Sequence, residues 1–306
     1  MRNIVVLLPI QVTPTPSLPF ADAGNSSWTF HPVNYPGAAL TVPQAVNLIG
    51  KAAGYAGTIV GFYYNDGWHG FYTTDFTNQA TFVSIDYPGA ASTIPGTGGT
   101  LATSINDSGC IVGYWTDSRG GVHGFIYDNS GAAGFDCLDA AQTHPIGIND
   151  ANAIVGRYLD GNGNSHGFYT TDPTDPASFA GIDYPGASQT LATALNNHGL
   201  IVGHYQAGKS ASHGFIYNHT TGVYTGFDYP RAIATFPSGV NDNGRISGYY
   251  TDNRGGQHGF FWPPFTTIDY PGSTSGTNVF TIGDADTLPG VYNDVGFVAL
   301  SSSPAN

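Results

Sequence analysis

Ile154-Val155-Gly156-Arg157-Tyr158, then His166-Gly167-Phe168, then Asp183-Tyr184-Pro185-Gly186, is one pass of a phrase that the chain writes six times. Its Ile-Val-Gly-x-Tyr part starts at Ile59, Ile111, Ile154, Ile201 and Ile246, with a degenerate copy from Leu288. A threonine opens each copy, at Thr41, Thr100, Thr143, Thr190, Thr235 and Thr277. The Asp-Tyr-Pro-Gly part recurs from Asp86, Asp183, Asp228 (ending in Arg231) and Asp269, and is scrambled around Asp136. Its earliest form, Asn34-Tyr35-Pro36-Gly37, precedes the first full copy. A fixed internal period bounds the architecture before any other signal does.

Each period of roughly forty-five residues holds four short runs of β-formers, parted by Gly, Asn, Asp and Pro. In the third copy they are 143–148, 153–158, 166–170 and 179–184. No stretch sustains the three-and-four apolar spacing of a helix, so the chain reads as all-β. Four antiparallel strands in a unit of this length mark a propeller blade. A solenoid would need caps at two free ends, whereas here residues 28–35 supply the strand that the last copy lacks. The sequence therefore predicts a six-bladed β-propeller. Residues 24–306 make one domain, and the amino-terminal strand closes the ring by completing the last blade.

Composition sets limits. The 43 glycines suit turns that need positive φ. A net charge of −13 disfavours nucleic acid and anionic membranes as partners. All 21 acids are aspartates, which excludes a Glu-dependent glycosidase. Cys110 and Cys137 fall on the second and fourth strands of one blade. Strand spacing puts them roughly 9–10 Å apart, beyond disulfide reach, so free thiols are expected. No Cys/His spacing suggests zinc, and no cofactor is called for. Asp160-x-Asn162-x-Asn164 resembles half a calcium loop, but Ser165 stands where Gly is wanted and no closing carboxylate follows.

Residues 1–23 differ in kind. Arg2 precedes the apolar run 4–10, a Pro/Thr/Ser stretch and Ala21-Asp22-Ala23. That order predicts a secretory signal cleaved before Gly24, with a disordered leader as the alternative. Secretion or display at the cell surface is the expectation. No run approaches the roughly twenty apolar residues of a membrane span.

His69-Gly70-Phe71, His123-Gly124-Phe125, His166-Gly167-Phe168, His213-Gly214-Phe215 and His258-Gly259-Phe260 follow Gly-rich or polar turns. These triplets resemble the bacterial extracellular repeat family named for its His-Ala-Phe motif, with Gly for Ala throughout and Val295-Gly296-Phe297 as the sixth copy. The resemblance covers nearly everything from Trp28 onward. It implies a secreted or surface repeat protein that forms a β-propeller, and it carries no agreed chemistry.

Five histidines spread around a ring cannot converge on one ligand. Each is better placed to donate to a turn carbonyl or carboxylate and pin its loop. Asn106-Asp107, Asn149-Asp150, Asn196-Asn197 and Asn241-Asp242 read as hairpin turns between strands one and two. Counting outward antiparallel from the Asn149 turn puts Ile148 opposite Ala153 and His144 opposite Arg157. The same count pairs Val42 with Phe62, Leu101 with Tyr114, Leu191 with His204, Phe236 with Tyr249 and Asn278 with Val291. The residue after Ile-Val-Gly thus reads Phe62, Tyr114, Arg157, His204, Tyr249 and Val291, at one height in the ring. The frame is constant on both sides of it while this position changes chemistry. A binding ring would show that variation, and so would a merely exposed position.

The same end of each unit is expected to carry Arg119, Arg157, Lys209, Arg231 and Arg254, five of the eight basic residues, with Lys51 and Arg245 at the other end. The link 91–99 is longer than its counterparts and should rim this mouth. Two functions fit. One is a recognition module for an acidic or neutral glycan, a small molecule or a protein partner. Arg157, Tyr114, Trp68, Arg119, Lys209, Arg231, Arg254 and Asn278 would be its contacts. The other is a carbohydrate-active enzyme at the same mouth, most simply a uronate polysaccharide lyase. Arg157 would neutralise the carboxylate, and His144, His204 or Tyr249 would serve as proton carriers.

Overall fold

The computed structural model describes residues 28–47, 57–91, 98–137, 139–208, 211–274, 276–283 and 286–301. The expected leader, Lys51, Lys209 and most of the 91–99 link lie outside the described residues.

Strand β1 (Trp28–Pro32) comes first. The first copy of the period then forms β2 (Leu40–Val46), β3 (Ile59–Tyr64), β4 (Trp68–Thr73) and β5 (Phe82–Ile85). The second forms β6 (Thr100–Ile105), β7 (Ile111–Thr116), β8 (Val122–Asp128) and β9 (Gly131–Phe135). The third forms β10 (Gln142–Ile148), β11 (Ile154–Leu159), β12 (Ser165–Thr170) and β13 (Ala180–Ile182). The fourth forms β14 (Gln189–Leu195), β15 (Leu200–Gln206), β16 (His213–Asn218) and β17 (Val223–Phe227). The fifth forms β18 (Ala234–Val240), β19 (Ile246–Thr251), β20 (Gln257–Trp262) and β21 (Thr266–Ile268). The last supplies β22 (Thr277–Val279), β23 (Thr287–Tyr292) and β24 (Val295–Ser301), and β1 pairs with β24 from Trp28–Ser301 to Pro32–Phe297. Among the described residues helix is confined to two single 3₁₀ turns, Gln79–Thr81 and Pro176–Ser178.

The chain is all-β, built of antiparallel four-stranded sheets. In one place two of them merge. β6 to β13 form a single eight-stranded sheet through one parallel pairing, Gln142 opposite Val122, where the period predicts two separate blades. The units touch in sequence order: β2 packs on β6, β6 on β10, β10 on β14, β14 on β18, and β22 on β19 and β20. β2 also packs against β23 and β24.

Each constant residue of the period has a contact that explains it. The six third-strand phenylalanines, Phe71, Phe125, Phe168, Phe215, Phe260 and Phe297, are fully buried. Each contributes about 1.5–3 kcal/mol through burial. They leave no room beneath them for a Cβ on strand two. At Gly156 it would stand 2.2 Å from the His144 carbonyl oxygen and 2.7 Å from the Phe168 ring. The threonine that opens each copy accepts the backbone N–H of the preceding Asp-Tyr-Pro tyrosine, as in Tyr184 to Thr190 at 3.1 Å and Tyr229 to Thr235 at 2.9 Å. In the scrambled copy Cys137 donates instead, to Thr143 at 3.1 Å. The same tyrosine lies flat on the aromatic residue that ends the next Ile-Val-Gly phrase. Tyr184 stacks on Tyr205 at 3.7 Å and Tyr229 on Tyr250 at 3.8 Å.

The five repeated histidines do pin their loops. Nδ1 of His69, His123, His166, His213 and His258 donates to Asp86, Asp136, Asp183, Asp228 and Asp269 respectively, at 2.6 to 3.1 Å. The Asp160 segment is a hydrogen-bonded turn, whose carboxylate accepts the backbone N–H groups of Asn162 and Asn164 and the Asn164 amide. Cys110 is half-buried, Cys137 is buried, and both are free thiols. Burial pushes the two thiols up, to about 11 and about 12, so neither is a ready nucleophile.

One register differs from the count made on the sequence. Ile148 faces Ile154 rather than Ala153, and a bulge between Pro145 and Gly147 then absorbs one residue. Beyond it Pro145 faces Gly156 and His144 faces Arg157, as counted. The turn is longer than two residues because the Asn149 side chain builds it: Oδ1 accepts the N–H of Ala151 and Ala153.

Candidate functional site

Strands one and two of every unit bring the variable position together with its cross-strand partner. The pairs are Val42–Phe62, Leu101–Tyr114, His144–Arg157, Leu191–His204, Phe236–Tyr249 and Asn278–Val291. The six pairs form a belt, and ring contacts across units join it in two places. Tyr114 meets His144 of the next unit edge to face, ring centroids 4.8 Å apart, and His204 meets Phe236 likewise at 5.1 Å. Phe236 in turn stacks on Tyr249 at 4.8 Å. The belt is half-buried, with His144 and Val42 buried.

Arg157 is the charge of this belt. No carboxylate or carbonyl among the described residues pairs with its guanidinium. Its field reaches Tyr114, His144 and His204. Burial, and then the Arg157 charge, push His144 down to about 3 and His204 down to about 4. Both imidazoles are therefore neutral at physiological pH. Burial raises the Tyr114 and Tyr249 phenols, which stay protonated. His144 Nε2–H donates to Gln142 Oε1 at 3.1 Å, which fixes its tautomer. His204 Nδ1 and Asn278 Oδ1 are buried with no hydrogen-bond partner among the described residues. An unpaired guanidinium, a neutral imidazole with a free nitrogen and an unmet amide carbonyl together suit an anionic ligand that also carries hydroxyls.

The other expected contacts are placed less centrally. Trp68 packs edge to face on Phe62 at 5.3 Å and on Tyr64 at 5.1 Å, half-buried at the start of β4. Arg119 and Arg254 are exposed in the loops between strands two and three. Asp117 and Asp252 accept their backbone N–H groups rather than their guanidinia. Arg231 is exposed in a turn, with φ of 64° where four other copies carry Gly and the scrambled copy carries Asp139. No interaction among the described residues joins Arg119 or Arg254 to the belt. Lys209 lies outside the described residues. Gln142 went unnoticed in the sequence, although it sits two residues before His144 on one strand and so on the same face.

A cavity of about 110 Å³ lies at the opposite end, lined by the first-strand ends and hairpins of all six copies. Its polar groups already serve one another. Asn47 donates to the Asn106 carbonyl at 2.9 Å, Asn106 to Asn149 at 3.1 Å, Asn149 to Asn196 at 3.3 Å and Asn196 to Asn241 at 3.0 Å. Outside that row the backbone N–H groups of Asp107, Asp150 and Asn197 donate to Asp150, Asn197 and Asp242 in turn. This end is a structural latch whose amides are paired from unit to unit, whereas the belt holds two buried polar atoms with no partner among the described residues, His204 Nδ1 and Asn278 Oδ1.

No family model matches the chain, so the likeness to the His-Ala-Phe family stands on the motif alone. No curated protein matches it in sequence. Solved structures match in fold. One is the SapL1 lectin in complex with α-methyl fucoside (TM-score 0.52, 11% identity, 88% of this chain and 96% of that one). A second is the fucose-specific lectin of Aleuria aurantia (0.51, 10%, 90% and 100%). A third is TolB of Acinetobacter baumannii (0.53, 11%, 81% and 64%). These are similar in fold, a β-propeller-like arrangement of four-stranded sheets. Among the described residues no helix is long and apolar enough to cross a membrane.

Proposed function

We propose that the chain is a secreted recognition module, a single six-bladed propeller over residues 24–306 behind a leader, of the His-Ala-Phe type. Its belt mouth binds a carboxylated glycan. One observation carries the reading: Arg157 sits half-buried, without a counter-ion, between two histidines that are kept neutral. An arginine held that way costs desolvation and returns it when an anion arrives. Aromatic Tyr114, Tyr249, Phe236 and Trp68 offer faces for sugar C–H groups. The lectin neighbours add the ligand class by analogy of fold, and their fucoside is theirs. The exposed Arg119, Arg231 and Arg254, with Lys209, raise the local concentration of an acidic polymer.

Titration calorimetry with polyuronates and neutral glycans tests this. Arg157→Ala should weaken polyuronate binding by roughly 1–3 kcal/mol, as for a hydrogen bond to a charged group. Arg119→Ala should alter it by less than about 1 kcal/mol. Absence of binding to every glycan of the panel would sink the reading and leave a protein-binding scaffold.

A lyase at the same mouth is favoured by one observation: the free, buried Nδ1 of a neutral His204. In that reading His204 takes the proton α to the uronate carboxylate while Arg157 holds the developing charge. A carbon–carbon double bond forms, the glycosidic C–O bond breaks, and the departing oxygen takes a proton from Tyr249 or water. Appearance of unsaturated product, lost in His204→Ala and Tyr249→Phe, would establish turnover; its absence with intact binding leaves the recognition module.

A further inference from the structure

Two buried polar atoms of the belt find no partner among the described residues, His204 Nδ1 in the fourth copy and Asn278 Oδ1 in the sixth, and the one belt cation, Arg157 in the third, has no counter-ion there. The frame needs none of them. At the Asn278 position the other copies carry Val42, Leu101, His144, Leu191 and Phe236, all but one apolar. An amide there has no packing advantage, and its carbonyl oxygen is buried with nothing donating to it. The third and sixth copies are half a period-set apart, so in a six-fold ring Arg157 and Asn278 lie on opposite sides of the mouth. Leu101, Leu191 and Phe236 stand between them as apolar wall.

We infer that the mouth grips one sugar-acid unit from both sides, its carboxylate on Arg157 and a hydroxyl donating to Asn278 Oδ1. This rests on the anion-binding reading of the same mouth and names the unit it selects. A neutral sugar leaves the guanidinium unmet, and a bare carboxylate leaves the amide carbonyl unmet. A hexuronate satisfies both, with its ring C–H groups against the leucines and Phe236. Specificity for a hydroxyl follows because a buried acceptor left without a donor penalises the analogue that lacks one.

The test compares sodium acetate, glucose and sodium glucuronate on the full chain by ligand-observed NMR or calorimetry, with Asn278→Leu and Arg157→Gln. Glucuronate should bind at least tenfold more tightly than acetate, and glucose at least tenfold more weakly than glucuronate. Asn278→Leu should remove the advantage of glucuronate while leaving acetate unchanged; Arg157→Gln should weaken both acids. Asn278→Ala is the second variant should leucine disturb the fold, checked by melting. The inference is overturned if Asn278→Leu and Asn278→Ala leave glucuronate unaltered, if they weaken acetate equally, or if glucose matches glucuronate. If neither acid binds the natural chain, the anion-binding reading itself fails and this one goes with it.

Discussion

His144 on β10 and Arg157 on β11 are direct cross-strand partners, and the guanidinium charge adds to burial in holding the imidazole uncharged. His204 on the next unit is held the same way. A histidine whose folded value lies below its unfolded one binds fewer protons folded than unfolded. Its penalty is absent above the unfolded value near 6.5 and grows as pH falls, levelling off only near 3 to 4. At pH 5.5 each histidine should cost about 1 kcal/mol relative to pH 7.5. Denaturant melts at the two pH values check it. The double variant His144→Gln/His204→Gln should lose most of the difference, and an unchanged difference would show that other groups carry it.

Arg157 pairs with no carboxylate among the described residues, so its removal breaks no ion pair. Arg157→Met should leave the melting temperature within a few degrees, since substitutions away from paired or core features usually change stability little. The same change should raise the pKa of both His144 and His204, because one of the two causes depressing them is gone. Histidine side-chain NMR through a pH titration reads this directly. Unmoved values would mean that burial alone sets them.

What could be read from the sequence follows from where each contact lies along the chain. The threonine and the Asp-Tyr-Pro tyrosine are neighbours in sequence and bond locally, so their recurrence announced the unit. Cross-strand partners were legible because the turn error at Asn149 and the bulge near Ile146 cancel, which put His144 opposite Arg157 by count. The asparagine row is marked by the sequence only as hairpin turns. Its second role, bonding from one unit to the next, appears only when units are packed side by side. Height along the unit placed Arg119 and Arg254 at the belt end, but whether a loop side chain turns inward is a matter of packing that spacing does not encode.

Asn196 uses both ends of its amide. Oδ1 accepts the N–H of His198 and Leu200, and Nδ2 donates to the Asn241 carbonyl at 3.0 Å. Asn196→Ala should cost about 2–4 kcal/mol, leaving buried partners unmet. Asn196→Asp keeps the acceptor but sets a carboxylate against a carbonyl oxygen in a buried site. It should therefore cost at least as much as alanine at neutral pH despite its near-identical shape. Chemical denaturation of the two variants decides. An aspartate variant as stable as the natural chain would show that the inter-unit bond contributes nothing.

Two glycines of one unit should respond in opposite ways to alanine. At Gly156 the new methyl would stand 2.2 Å from a backbone oxygen on β10, which cannot move aside without opening the strand pair. A loss of roughly 3 kcal/mol or more is expected, at the upper end for overpacking. At Gly181 on β13 nothing lies within 4 Å of the same methyl. There alanine should be neutral or stabilise by about 0.4–1 kcal/mol, through the unfolded chain. Equal effects at the two sites would contradict the steric account of the Ile-Val-Gly phrase.

β1 is the strand on which the last sheet depends. It covers the edge of β24, with Trp28 against Phe261 at 6.0 Å, Phe30 against Tyr270 at 5.0 Å and Phe297 at 5.3 Å, and Val33 fully buried. Tyr35 then stacks on Tyr63 of the first unit at 3.7 Å, so this one segment ties the last sheet to the first. Deleting residues 1–37 should bare a long apolar edge on β24 and part the two sheets, giving aggregation or failure to fold. Adding a synthetic peptide of residues 24–37 to the truncated chain during refolding should recover soluble, cooperatively melting protein, because pairing with β24 needs no covalent link. A truncated chain that stays monomeric and melts cooperatively without the peptide would show that β1 does not close the structure.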